Sequence, residues 1–407
     1  MFLFTIVMCV FYTVTNAASS SSGTCYVPSD QQWLVRGLQT QLENWASLQI
    51  KPDPSVLIAL TLAEDHSLSV ITQLVRQIKE TAGTEMTSGK VALYVLALRS
   101  SCQNPANVST PEKHVNLVQV LEEKTKEEIT HIGTTGTPKT TYYQLALDTL
   151  ALCVEKSPEL EIAATTLAKA AQDNRFQFDG RYSVDTGAVA SLALFCVYEG
   201  RSSSQSQITE ALKHTIEQIL NKQQDNGLLG NIYSTGLAMQ ALSVTSEFQS
   251  ANAWNCSKTL NEVLQKIIEG AFSTPAATSQ ILPSLVGKTY LDVRSPICNS
   301  ETVTVQYKVI NKLIGSYFEH SITVKVPKGS VLLAVLKAAQ QLNASEFSFE
   351  TEETSWGPMV TSINGLRGST DEKTYWQFLS GKTPLEQGVG SYKPRDNELI
   401  VAIFSTY

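Results

Sequence analysis

Residues 145–153, Leu145-Ala146-Leu147-Asp148-Thr149-Leu150-Ala151-Leu152-Cys153, decide the fold, because the triplet Leu150-Ala151-Leu152 inside them recurs along the chain. Related triplets stand at Ile58-Ala59-Leu60, Leu96-Ala97-Leu98, Leu192-Ala193-Leu194 and Gln240-Ala241-Leu242. Their spacing is about 40 to 55 residues, the length of a helix–turn–helix unit. Around them the apolar period is helical. Trp33, Leu34, Leu38, Leu42, Trp45 and Leu48 fall at three- and four-residue steps, and Gly, Pro, Asn and Ser punctuate the stretches. A small Ala inside each apolar run lets neighbouring helices approach closely. Repeated helix hairpins either stack as an open solenoid or close into a toroid. The stretch from about residue 30 to about residue 285 can hold about six hairpins, the number a closed α/α barrel needs.

Beyond Cys298 the period changes to two. Thr302-Val303-Thr304-Val305-Gln306-Tyr307 and Ser321-Ile322-Thr323-Val324-Lys325-Val326 alternate as strands. Pro327-Lys328-Gly329 reads as a turn, with Ser330 capping a helix over Val331–Leu342. Further strands are expected at Met359–Asn364, Thr374–Leu379 and Glu398–Phe404. The expected architecture is a helical domain over residues 25–298 followed by a small α+β, β-rich domain over 299–407.

The start of the chain bears on compartment. Residues 2–14 are almost wholly apolar but shorter than the ~20 residues of a membrane span. Thr15-Asn16-Ala17 then supplies small residues, so 1–17 reads as a signal peptide and the protein as secreted, without membrane insertion. Cys9 leaves with that segment. Cys25, Cys102, Cys153, Cys196, Cys256 and Cys298 remain, an even set that implies a disulfide framework with many possible connectivities. No C-x-x-C pair suggests zinc or thiol redox chemistry. Sequons at Asn107, Asn255 and Asn343 fit a glycoprotein. A formal charge of −7 argues against nucleic acid or an anionic membrane as partner.

Catalytic signatures are thin. The five His form no H-E-x-x-H or other metal spacing. There is no G-x-S-x-G, phosphate loop or G-x-G-x-x-G. An α/α barrel can carry glycosidase carboxylates, but pairs such as Glu122-Glu123 and Glu127-Glu128 lie among lysines and read as solvated helix face.

Several segments in order carry a resemblance. They are Thr140-Thr141-Tyr142-Tyr143-Gln144 before LALDTLALC, Ser183-Val184-Asp185-Thr186 before the helix with Cys196, and Asn231-Ile232-Tyr233-Ser234-Thr235. Gln280-Ile281-Leu282-Pro283 before KTYLDV follows, then Trp376-Gln377-Phe378 and the ending SYKPRDNELIVAIFS. Together, over essentially the whole mature chain and with all six cysteines matched, they resemble the cobalamin-carrier family of intrinsic factor, transcobalamin and haptocorrin. The resemblance implies an α6/α6 barrel, a linker and a β-rich domain, with cobalamin held between the two domains and delivered to a cell-surface receptor. It implies the pairings Cys25–Cys256, Cys102–Cys298 and Cys153–Cys196.

The residue chemistry suits that ligand. A corrin is a broad apolar disc with a rim of amides. Gln144, Asn231 and Gln280 each offer a donor and an acceptor to such a rim, and Thr140, Thr141, Ser183 and Ser234 offer hydroxyls. Asp185 can accept from an amide, although it can equally cap the helix that follows. Tyr142 and Tyr143 offer rings or pack within a helix. Trp376, with Gln377 and Phe378 beside it, offers a ring from the second domain or fills its core. Asn231 and Ser234 can also simply cap a helix.

Two positions depart from the family. Arg181 stands where transcobalamin-like members carry a His able to ligate cobalt. A guanidinium stays protonated, so no protein ligand to cobalt is expected and Arg181 borders the ligand instead. Lys90 stands where the family often has Gln, which removes an acceptor. The expected protein is a monomeric, non-enzymatic carrier. The competing readings are an α/α-barrel enzyme acting on a glycan or isoprenoid, and an interaction module without a small ligand.

Overall fold

A computed structural model describes residues 25–63, 66–83, 85–110, 113–250, 253–296, 302–354 and 357–407. The expected signal peptide and Cys298 lie outside the described residues. In chain order the first part contains α1 (Gln32–Leu48), α2 (Pro54–Leu62), α3 (Leu68–Thr81), α4 (Ser88–Ser100), a hairpin of β1 (Val108–Thr110) and β2 (Lys113–Val115), α5 (Leu117–Thr135), α6 (Tyr142–Glu155) and α7 (Leu160–Gln172). A second hairpin, β3 (Gln177–Phe178) and β4 (Arg181–Tyr182), precedes α8 (Val184–Glu199), α9 (Gln205–Leu220), α10 (Ile232–Val244), α11 (Cys256–Ile268) and α12 (Pro275–Leu285).

The even-numbered helices pack in the order α2, α4, α6, α8, α10, α12, and α12 returns to α2. The ring is therefore closed: an α6/α6 barrel, not a solenoid. The recurring triplets explain which helices go inside. Val56, Leu57, Ile58, Ala59 and Leu60 of α2 are all fully buried, as are Leu192, Ala193 and Leu194 of α8. A helix apolar all round must be covered on both faces. The odd-numbered helices are amphipathic. In α3 only Val70, Ile71, Leu74, Gln77 and Ile78 are buried. These helices wrap the ring with one stripe inward.

Each odd helix turns the chain back before the next even one, so the inner helices run parallel and begin at one end of the barrel. That end is the mouth. A 3-10 helix, Tyr290–Arg294, touches α2, α4, α6 and α8 from the other end. Its Tyr290 N–H donates to Gln240 Oε1 (3.0 Å), and Arg294 Nη1 donates to Glu199 Oε2 at the foot of α8 (2.7 Å). The segment KTYLDV is thus a plug under the barrel. Disulfides join Cys25 to Cys256 and Cys153 to Cys196, the latter linking adjacent inner helices.

The second part has its own core. Strands β5 (Thr302–Asn311) and β6 (Phe318–Pro327) precede α13 (Leu332–Leu342) and the single turn α14 (Ala344–Phe347). Then come β7 (Phe349–Thr354), β8 (Gly357–Ile363), β9 (Leu366–Arg367), β10 (Thr374–Ser380), β11 (Thr383–Pro384) and β12 (Glu398–Thr406). The main sheet has the order β11-β10-β12-β5-β6, with β12 and β5 parallel and the other pairs antiparallel. A smaller sheet, β7-β8-β9, lies beside it. Leu332, Val335, Leu336 and Ala339 of α13 pack on Val303, Val305, Tyr307 and Phe404.

Ser330 does not cap α13, contrary to the sequence reading. The cap residue is Val331, and no side chain bonds there. Backbone carbonyls take that role: Leu332 N–H donates to Tyr392 O (2.7 Å) and Leu333 N–H to Val389 O (2.8 Å). Orphan helix donors need a partner, and a neighbouring loop serves as well as a hydroxyl.

The small domain rests on the outside of the barrel at α1 and α3. Lys337 Nζ donates to Glu43 Oε2 (3.2 Å) and Thr40 Oγ1 (3.4 Å). Gln341 bonds Ser67 and Ser69, and Arg36 pairs with Glu353 at 3.4 Å. The turn Pro327–Ser330 meets the C-terminal ends of α2 and α4 across a cleft of about 520 Å³. These contacts lie on the flank and foot of the barrel, away from its mouth.

Candidate functional site

The sequence-predicted polar residues gather at the starts of the inner helices. Thr141 is the N-cap of α6, its hydroxyl accepting from Gln144 N–H (3.2 Å). Ser183 caps α8, accepting from Thr186 N–H (3.2 Å). Asn231 caps α10, accepting from Tyr233 N–H (2.8 Å) and Ser234 N–H (2.9 Å). Gln280 lies in the second turn of α12, half-buried. The sequence chose caps because helices must start there. The closed ring puts those caps side by side.

Ring closure also distributes their roles. Asp185 is not the cap of α8; Ser183 is. That leaves the half-buried Asp185 carboxyl one residue into the helix, where burial pushes its pKa up. Ser234 is 2% exposed and completes a capping box, accepting from Asn231 N–H and donating to Leu229 O (both 2.9 Å). Its hydroxyl is therefore used within the fold. Gln144 Oε1 accepts from Gly89 N–H (3.1 Å), tying α6 to α4. Gly89 has to be glycine, since a Cβ there would stand 2.6 Å from Gln144 Cγ. Thr140 and Thr141 border this edge, Thr141 exposed. Tyr142 packs on Phe176 with ring centres 6.0 Å apart.

Tyr143 points inward. Burial pushes its phenol up, and the Asp185 charge adds to this. Tyr290 from the plug is raised by burial, with further contributions from Tyr143 and Asp53. Asp53 is the N-cap of α2, accepting from Ser55 N–H (2.9 Å), and so a further carboxylate at the mouth. Sequence reading missed it, although Asp53-Pro54 is an N-cap followed by an N1 proline. Lys90 is exposed in the first turn of α4, its ammonium 5.8 Å from the Tyr94 ring centre.

Arg181 is exposed on the β3–β4 hairpin, paired across from Phe178, which is 79% exposed. Asp179 and Gly180 form the turn with φ of 48° and 69°. This is the Asp-Gly signal of a two-residue hairpin, legible in the sequence but overlooked. Tyr233, 51% exposed beside the Asn231 cap, was quoted only as part of a motif.

One expectation changes. Glu128 is not solvated face; it is 1% exposed, whereas its neighbour Glu127 is exposed and paired with Lys139 (2.8 Å). Trp376 is 5% exposed in the small-domain core. Its Nε1–H donates to Leu366 O (2.9 Å), and its ring lies 5.1 Å from that of Phe404. Phe378 leans on the same core, while Gln377, on the alternate face of β10, is half-buried. Trp376 and Phe378 thus make their contacts with other residues of the small domain.

Among the described residues no group of His, Cys, Asp and Glu could hold a metal ion, and no helix is long and apolar enough to cross a membrane. Asn107 and Asn255 are exposed; Asn343, half-buried, donates to Glu346 Oε2 (3.0 Å).

A closed helical barrel with a mouth of amides, hydroxyls and single carboxyls, joined to a small sheet domain, has the form of a two-domain small-molecule binding protein. The chain belongs to the eukaryotic cobalamin-binding protein family, whose model matches residues 7–312. A model for a domain of unknown function matches residues 329–406. The chain is 40% identical to mouse cobalamin binding intrinsic factor over 98% of both chains. It is 37% identical to human transcobalamin-1 over 87% of each, and 34% identical to mouse transcobalamin-2 over 92% of this chain and 94% of that one. Haptocorrin in complex with Cbi is similar in structure, with a TM-score of 0.60 and 34% identity over 95% of this chain and 100% of that one.

Proposed function

We propose that this chain is a secreted, monomeric carrier that binds cobalamin at the barrel mouth and presents it to a cell-surface receptor. One observation carries the reading: Thr141, Gln144, Asp185, Asn231 and Gln280 stand at the starts of neighbouring inner helices of one closed ring. Carboxamides answer the amide rim of a corrin, Asp185 accepts from an amide N–H, and Tyr143 supplies apolar surface. Arg181 stands at the mouth as a cation that cannot ligate cobalt, so the cargo keeps the axial ligands it brings. The small domain closes over the ligand and completes its burial, with residues 25–298 and 299–407 as the two moving units.

Equilibrium uptake of aquocobalamin, followed by visible absorption, tests this. One-to-one uptake with retained axial water is expected, and Gln280→Ala should weaken it about tenfold, or ~1.4 kcal/mol. No uptake at micromolar ligand would overturn the reading. An imidazole-type spectrum would overturn the expectation that no protein group ligates cobalt.

A further inference from the structure

One of the recurring triplets breaks the apolar rule. Four of them open on Ile58, Leu96, Leu150 and Leu192, all wholly buried. The fifth opens on Gln240, which is buried just as completely. A carboxamide in that position costs desolvation unless its bonds are made. Both are made, and both go to backbone. Gln240 Nε2 donates to the Gln280 carbonyl (3.0 Å), and Gln240 Oε1 accepts from the Tyr290 N–H (3.0 Å). One partner needs a donor and the other an acceptor. A carboxamide answers both at once, whereas a carboxylate only accepts and an ammonium only donates.

The two partners lie in different parts of the barrel. Gln280 is the rim residue of α12. Tyr290 belongs to the plug, which Thr289 stiffens by donating its N–H to Asp292 Oδ2 (2.7 Å). Ser295 and Pro296, directly after the plug, line the cleft that faces Pro327–Ser330 of the small domain. The turn that Gln240 grips is also short of internal ties. Pro283 lies within α12 and has no N–H to give the Ser279 carbonyl, the neighbour of Gln280. Gly236, one turn before Gln240 on α10, brings the two helices close enough for the grip, since a Cβ there would stand 2.8 Å from Gln280 O.

We propose that Gln240 is a positioning residue for ligand binding, holding the Gln280 turn of α12 against the Tyr290 plug so that the contact Gln280 makes with cobalamin depends on it. This role rests on the mouth being the cobalamin site. Gln240 is wholly buried and does not touch a ligand at the mouth; it acts through Gln280. Without its amide, the Gln280 carbonyl and the Tyr290 N–H lose their shared partner in a dry interior. The turn then moves to find other partners, and the Gln280 side chain leaves the place where it is held ready for the corrin rim.

The test is a double-mutant cycle on the full secreted protein, with cyanocobalamin as the probe. Affinity and melting temperature are measured for Gln240→Met, Gln280→Ala and the double variant. Methionine keeps an unbranched chain and removes both bonds. Gln240→Met should bind about tenfold more weakly than native protein. In the Gln280→Ala background the same change should remove no more than about twofold further, because the residue it positions is gone. A side chain that serves stability alone would lower the melting temperature and leave affinity native. One that acts on the ligand by another route would weaken binding by the same factor in both backgrounds. Either result overturns the proposal. Native affinity in Gln280→Ala overturns both the proposal and the place of Gln280 in the cobalamin site. A weakened Gln280→Ala beside a native Gln240→Met leaves the mouth as the site and removes the positioning role alone. Should Gln240→Met not fold, Gln240→Asn, an amide one carbon too short to reach both partners, is carried through the same cycle.

Discussion

At the residue scale, Asp148 is a cost the fold carries. Its folded pKa is raised, so the folded state favours the proton more than the unfolded chain does. That penalty is absent at pH values below the ordinary aspartate value of about 3.9 and grows as pH rises towards the raised value. Asp148→Asn should therefore melt higher than native protein at neutral and alkaline pH, with the gap closing towards pH ~4. Thermal melts at several pH values check this; a constant gap would contradict a titrating origin. Trp376 makes the opposite kind of prediction. Removing its core ring, Trp376→Ala, should cost about 3–5 kcal/mol, whereas Trp376→Phe should cost much less and keep ligand affinity. A native melting temperature with lost affinity would put the ring at the ligand instead. Sequence reading left the Trp376 ring open between ligand and core, and it missed the burial of Glu128. Periodicity places a strand's two faces but not which face a second layer covers, and the charges around Glu127-Glu128 conceal that Glu128 alone turns inward.

At the element scale, close approach is what the recurring small residues make possible. Gly236 on α10 faces α12, where a Cβ would lie 2.8 Å from Gln280 O and 2.9 Å from Ile281 Cα. Both are backbone atoms and cannot swing aside. Gly236→Ala should cost about 1–3 kcal/mol in denaturant unfolding and displace Gln280, weakening cobalamin uptake. An unchanged midpoint would show that the two helices are free to separate. This packing explains what sequence reading captured. Five triplets in a stretch long enough for about six hairpins left solenoid and barrel open, since closure depends on α12 meeting α2, a contact between distant segments. Strands β5 and β6 were legible from alternation, and β8, β10 and β12 were also expected from the sequence. Strand β7, Phe349-Glu350-Thr351-Glu352-Glu353-Thr354, was not: five of its residues are exposed, so no buried face imposes a period. The mouth was readable because caps are conspicuous in sequence, and a barrel places its caps together. Which caps are consumed internally, as Ser234 is, depends on the loop at Leu229 and has no sequence signature.

At the scale of the whole molecule, the position of the small domain links structure to cargo. It is held on the flank by Lys337–Glu43, Gln341 with Ser67 and Ser69, and Arg36–Glu353. If the ligand is covered by that domain, these contacts and the covered arrangement exclude one another, and each stabilises its own population. Glu43 is 6% exposed and keeps a second donor, the Ser67 N–H at 2.9 Å, so losing Lys337 leaves the barrel intact. The lysine is partly exposed, which limits the pair to about 1 kcal/mol. Lys337→Ala should therefore shift the resting balance towards the covered arrangement by about fivefold, leaving the barrel's own melting unchanged. Small-angle scattering of ligand-free protein would register the shift as a changed radius of gyration, and native protein should change in the same direction on adding cobalamin. If cobalamin leaves the scattering of native protein unaltered, the domain does not move. The mouth would then have to retain its cargo with the rim and inner tyrosines alone.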